Sequence, residues 1–167
     1  MRLLITGLNG TLAPHLAAQA KATGWHLIPW SRQLVDPEDS TESALFLQRM
    51  RPDAIAHLAM GAESWAAQLA AYAALAQIPF LFTSSAMVFH HQPDGPHAVS
   101  AVPNAEDDYG RYKMRCEQAI WQANSQACVA RIGWQIDGEA RGNNMLAALD
   151  SWQREQGKVA ASQLWIP

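Results

Sequence analysis

"RLLITGLNGTLAPHL", residues 2–16, decides the fold of this chain. A short apolar run, "RLLIT", has the length and branched-aliphatic content of a buried strand. It runs into a turn that places Gly7, Gly10 and Ala13 at the strand-to-helix junction, and an Ala/Leu-rich helix is predicted from about 11 to 22. Glycine at the first position permits a tight turn, and glycine at the second lets backbone amides approach a pyrophosphate. A small third residue lets the helix pack on the strand. The positive end of the helix would then face the phosphates. Pro14 fits the first turn, where no backbone donor is required. A bare turn would also explain such glycines. Their position between the N-terminal strand and a helix is the context that a dinucleotide loop requires.

Outward from that loop, short apolar runs alternate with helical patterns, as in a parallel sheet with crossover helices. Strands are predicted at 26–30 ("HLIPW"), 53–59 ("DAIAHLA"), 79–85 ("PFLFTSS"), 127–134 ("ACVARIGW") and, last and shortest, 158–162 ("KVAAS"). Helices are predicted to about Met50 after an Asp39/Glu42 capping box, over 63–77, from Tyr109 to about Ala123, and over 143–155. A loop rich in Pro, His and Gly fills about 90–106. The expected fold is a doubly wound α/β parallel sheet, Rossmann-like, with ligands at the carboxyl ends of its strands.

Composition narrows the class. With 167 residues one domain is expected, and a net charge of −3 with 12 scattered basic residues argues against nucleic acid as a partner. Cys116 and Cys128 fit neither a disulfide framework nor metal-ligand spacing. His90 and His91 lack a third ligand at a familiar spacing, so no metal is expected. No run approaches a membrane span or a signal-peptide core, which leads us to expect a soluble, cytoplasmic protein. Charged residues are only 16% and tryptophans number seven, so some apolar surface is expected to be covered by other residues or another chain.

Two further stretches carry chemistry. Where an NAD site would place an acidic residue after the second strand, this chain reads "WSRQ". Ser31 and Arg32 can donate to a 2′-phosphate, Arg32 in a bidentate way, which favours NADP(H) and leaves NAD(H) open, unless Arg32 is an ordinary loop cation. "AEDDYGRYKMRCEQAIW", 105–121, holds two of three tyrosines and one of three lysines. Tyr109 and Lys113, four apart, share one helical face, whereas Tyr112 projects about 100° from Lys113 and is assigned to another. A nearby ammonium would bring the Tyr109 phenol down from its ordinary pKa near 10 toward a range useful for proton transfer.

With the Gly7/Gly10/Ala13 loop, "HLAMG" after the third strand, "TSSAMVF" ending the fourth, and Tyr109-x-x-x-Lys113, the sequence resembles extended short-chain dehydrogenases/reductases. Within them it is most similar to dTDP-4-dehydrorhamnose reductases and related sugar-nucleotide-binding proteins. Gly110, Glu117, Arg131, Gly133, Trp134 and Gln135 also match that family's pattern. The resemblance implies an NADPH-dependent reductase of a keto group on a nucleotide-activated sugar. Ser85 (with Ser84 as rival), Tyr109 and Lys113 would be catalytic. Gly7, Asn9, Gly10, Thr11, Leu12, Ser31, Arg32, His57, Leu58, Ala59, Tyr109 and Lys113 would border the cofactor, His57 without titrating. Ser85, Met87 and Trp134 would meet the substrate, although core packing would equally account for Trp134. A homodimer through the long helices is a further implication.

The chain departs from the family pattern at Ala86-Met87, where an Asp-Tyr pair is expected, and at His90-His91, where Asp-Gly is. From about residue 134 it is expected to enter a substrate lobe left incomplete by "ASQLWIP". Epimerase or dehydratase chemistry, or a non-catalytic NADP-binding regulator like the regulatory subunit of methionine adenosyltransferase, are the alternatives.

Overall fold

A computed structural model describes residues 1–90, 96–138 and 144–159. Five strands, β1 (Arg2–Thr6), β2 (His26–Pro29), β3 (Ala54–His57), β4 (Phe80–Ser85) and β5 (Cys128–Ile132), alternate with five helices. These are α1 (Leu12–Ala22), α2 (Ser40–Met50), α3 (Glu63–Ala76), α4 (Asp108–Ala123) and α5 (Met145–Gln156). A 3-10 turn, Ala86–Val88, follows β4. All strand pairs are parallel and the order is β2-β1-β3-β4-β5.

That order reverses between β1 and β3, so the crevice of this doubly wound sheet lies beyond their carboxyl ends. Side chains alternate across the pleat and feed two apolar layers. Leu3 and Ile5 meet Ala13, Ala17 and Ala20 of α1, whereas Leu4, Ile55, Phe80 and Phe82 meet Trp65, Leu69, Ala70, Ala73, Cys116 and Ile120 of α3 and α4. The alanines of α3 let its backbone approach the sheet and α4 closely.

Element ends differ from expectation by a residue or two, and the last strand is corrected: Lys158 and Val159 are irregular. The rest of that segment, with "ASQLWIP" and His91, lies outside the described residues. The capping box is half correct. Asp39 accepts from the Thr41 and Glu42 amides, but Glu42 turns to the Asp36 amide at 3.0 Å instead of returning to Asp39.

Candidate active site at the carboxyl edge of the sheet

The loop after β1 packs as its glycines suggest. Gly7 has φ +82°, and a Cβ there would lie 2.9 Å from the Leu58 carbonyl carbon, so a side chain would strike the segment leaving β3. The Gly10 amide closes the turn on the Gly7 carbonyl at 2.8 Å. Leu58 and Ala59 are held in turn by Thr6, whose Oγ1 accepts both their amides at 3.0 Å. With both lone pairs engaged, the Thr6 hydroxyl proton is left to the Nδ1 of His57, 2.9 Å away. The imidazole is thereby assigned the Nε2–H tautomer. It is buried between Trp65 and Phe82, and burial, reinforced by the charges of Lys113 and Arg32, pushes its pKa down to about 3. The His57 ring therefore stays neutral and braces the loop from inside the core.

Helix starts at this edge divide into two kinds. Asp39, Asp107 and Asn144 cap α2, α4 and α5 with their side chains. The two helices that flank the β1/β3 crevice, α1 after Thr11 and α3 after Ala62, carry no side-chain cap. Their first-turn amides are the ones an anionic ligand at the crevice would meet. Leu12 begins α1, and Asn9 stands exposed on the loop before it.

Beyond β2, Ser31 is half-buried and Arg32 exposed. The Arg32 guanidinium donates to the Met60 carbonyl and lies 5.3 Å over the Trp65 ring. It thus lies against the segment that follows β3, beside the crevice.

Across the crevice, Ser85 ends β4 and accepts the Met87 amide at 3.1 Å. Its hydroxyl stands on the side of the Tyr109 phenol and works against the effect of burial on that group. Gly110 makes this approach possible, because a Cβ there would sit 2.2 Å from the Met87 carbonyl oxygen and 2.4 Å from the Ala105 Cβ. Only glycine lets the first turn of α4 press against the 3-10 turn. Ser84 shares the Phe82 face of β4 by strand alternation, and its Oγ is buried without a hydrogen-bond partner. Of the two serines, Ser85 is therefore the one that meets Tyr109.

Lys113 is buried and donates to the Thr83 carbonyl at 2.9 Å. Its Nζ lies 5.9 Å from the Tyr109 ring centre, 5.7 Å from that of Tyr112 and 4.7 Å from that of Phe82. Two expectations change here. Tyr112 is not segregated on another face, since its ring borders the ammonium as closely as Tyr109 does. Nor is the Tyr109 phenol brought down: burial raises its pKa, the nearby Ser85 hydroxyl offsets this in part, and the Asp107 charge adds to the rise. Desolvation lowers the Lys113 pKa, and its Nζ is directed at Thr83 instead of the phenol.

On the β5 side, Met87 is exposed on the 3-10 turn, and Trp134 is exposed with its ring 6.0 Å from that of Trp152. Glu117 and Arg131, 2.8 Å apart and mostly buried, tie α4 to β5. Arg131 also reaches the Ala101 carbonyl, so it anchors the segment before α4. The sequence reading assigned these two residues no role. A charged residue within the apolar run "ACVARIGW" was the available signal for Arg131. Gly61 closes the quoted stretch "HLAMG" and Thr6 closes "RLLIT", but neither residue was assigned a role.

A five-stranded parallel sheet with a glycine turn at its switch point defines a Rossmann-like fold, and Ser85, Tyr109 and Lys113 stand on the β4 side of its crevice. The sequence matches the RmlD substrate binding domain family over residues 1–64 and 62–167, and the chain belongs to that family. Comparison with curated proteins finds no match. Among solved structures, dTDP-4-dehydrorhamnose reductase from Bacillus anthracis, in complex with NADP, superposes with TM-score 0.80 at 22% identity, over 92% of this chain and 60% of that one. The corresponding reductase from Clostridium acetobutylicum gives 0.79 at 20%, over 92% and 60%. GDP-mannoheptose C4 reductase from Campylobacter jejuni, with NADP bound, gives 0.70 at 15%, over 89% and 55%. At these identities the structures establish the fold. The chain spans about three fifths of the length of the dTDP-4-dehydrorhamnose reductases it matches.

Proposed function

We propose that this chain is the NADP(H)-binding part of a reductase acting on a keto group of a nucleotide-activated sugar. The observation that carries the reading is the meeting of Ser85, Tyr109 and buried Lys113 at the carboxyl end of β4, across from the Gly7 turn. The residues present suit such a cofactor. Gly7 and Gly10 let the loop turn tightly against the segment leaving β3, the uncapped starts of α1 and α3 face the crevice, and Ser31 and Arg32 supply donors at the rim for a 2′-phosphate. NADPH, when bound, supplies hydride to the substrate carbonyl carbon.

The protein's part is to orient and to protonate. Ser85 holds the carbonyl by a hydrogen bond, and Tyr109 gives its proton to the oxygen as charge develops there. A phenol whose pKa is raised by burial stays protonated at neutral pH, as a proton donor must. Lys113, fixed within 6 Å of the ring, stabilises the phenolate that remains until solvent returns a proton. Residues from about 134 onward, with Trp134 and Met87, would belong to the substrate side. The Ala86-Met87 pair favours the second reading, an NADP-binding regulator, because it offers the substrate fewer polar groups than the family's Asp-Tyr.

Calorimetric titration of the full-length gene product with NADPH and NADH, followed by keto-sugar turnover, tests the proposal. Tyr109→Phe should keep NADPH affinity and lower turnover by about 10²–10⁴-fold. Undiminished turnover in Tyr109→Phe would overturn the catalytic assignment.

A further inference from the structure

Tyr112 takes no part in the chemistry proposed above, yet its phenol is the more tightly engaged of the two on α4. Its hydroxyl donates to the Gly61 carbonyl at 2.8 Å and accepts the Gly61 amide at 3.1 Å, closing a two-way bond across 51 positions of sequence. Burial raises its pKa to about 12, so the hydroxyl remains protonated and keeps both bonds. Gly61 belongs to the short segment between β3 and α3, and that segment has little freedom. A Cβ at Gly61 would lie 2.7 Å from Trp65 Cε3. Its neighbour Met60 supplies the carbonyl that receives Arg32, and Trp65 supplies the ring beneath the guanidinium. From Tyr112 through Gly61 to Met60 and Trp65, a continuous line of contacts ends at Arg32.

We infer that Tyr112 is a positioning residue for cofactor specificity: its bond to Gly61 fixes the β3–α3 segment so that Arg32 is held where a 2′-phosphate would meet it. The inference rests on the NADP(H) reading. Arg115–Glu63 ties α4 to the first residue of α3 at 2.6 Å, but it is an exposed pair that water and salt weaken. Tyr112 provides the sheltered tie. Because Lys113 is adjacent, the residue that sets the cofactor rim is coupled to the helix that carries the proton donor.

Dissociation constants for NADPH and NADH, measured on the full-length gene product, test this with wild type, Arg32→Ala, Tyr112→Phe and the double variant. Tyr112→Phe keeps the ring and loses only the hydroxyl. It should weaken NADPH by up to about tenfold, the scale of one or two net hydrogen bonds, and leave NADH within about twofold. In the Arg32→Ala background it should have no further effect on NADPH. Equal weakening of both cofactors would mark Tyr112 as a general structural residue, and unchanged NADPH affinity would remove it from the rim altogether. Either overturns the inference while the NADP(H) reading stands. If Arg32→Ala alone leaves NADPH affinity unchanged, the reading of the rim fails first. Amide hydrogen exchange at Gly61 in cofactor-free protein checks the clamp without any ligand: faster exchange in Tyr112→Phe is expected, and unaltered exchange overturns the clamp.

Discussion

The sheet is built differently around its interior switch point, at β1 and β3, and toward its β5 edge. At the switch point every residue of β3 is buried, Leu4 and Ile5 of β1 are inaccessible, and α3 buries Trp65, Ala66, Leu69, Ala70 and Ala73. At the β5 edge none of the residues of β5 is fully buried, and α5 buries Met145 alone, while Trp134, Ile136, Leu146 and Trp152 stand exposed. The first region is supported by its own core and presents polar groups at the rim. The second gathers large apolar side chains on its surface, where a ligand or further chain would find them. In this molecule the elements that shape the proposed cofactor crevice are the self-sufficient ones.

The same substitution should therefore have consequences of very different size in the two regions. Trp65→Ala removes a ring that is 1% exposed and that touches Trp30, His57 and Arg32 at once. A loss of about 3–5 kcal/mol of unfolding free energy is expected, as for a large aromatic cut from a packed core. Urea denaturation followed by circular dichroism measures it, and a loss below 1 kcal/mol would break the contrast at its strong end.

A second, smaller effect belongs to the same region and depends on pH. The unfolded chain protonates His57 near the ordinary value of 6.5, whereas the folded protein refuses the proton until about 3. Between these values the unfolded state binds more protons, so stability must fall as pH falls, by up to about 1.4 kcal/mol per pH unit from this group. Asn in place of His57 keeps an acceptor for the Thr6 hydroxyl and does not titrate. Unfolding midpoints of wild type and His57→Asn, compared from pH 7 to pH 4, should converge as the pH drops. Parallel lines would mean that the imidazole takes up its proton without unfolding.

Much of the switch-point region was legible in the sequence. The glycine spacing after "RLLIT" identified a turn that structure requires at Gly7, and the alternation of runs foretold the parallel sheet and its winding. Tyr109 and Ser85 could be paired only through family resemblance, because they lie on different elements and no local period connects them. Tyr112 was misplaced for a definite reason. A 100° separation places two Cα–Cβ bonds on different faces, but a phenol is long enough to reach round the helix and lie beside the ammonium of Lys113. The fall of the Tyr109 pKa was over-read, since helical spacing says nothing of burial or of the Thr83 carbonyl that occupies the lysine. For the β5 edge the sequence offered only a chain-wide excess of tryptophan relative to charge, and Trp134 and Trp152 are two of the places where it is exposed.

Trp152→Ala is the complementary test and should have the smallest effect. The indole is 42% exposed and contacts Trp134 with ring centres 6.0 Å apart at 54°, a tilted pair on the surface. Such a pair contributes about 0.5–1.5 kcal/mol beyond area burial when sheltered, and less where water reaches both rings. A change below about 1 kcal/mol is expected in the isolated chain, with circular dichroism of the sheet unaltered. The same substitution in the full-length gene product separates two uses of this surface. If Trp152 is covered there by further protein, the cost should rise toward that of Trp65→Ala. If the ring instead faces a bound sugar nucleotide, stability should stay the same and substrate affinity should fall. A cost as large as that of Trp65→Ala in the isolated chain itself would show that the β5 edge is as self-supporting as the switch point, and the contrast between the two regions would be lost.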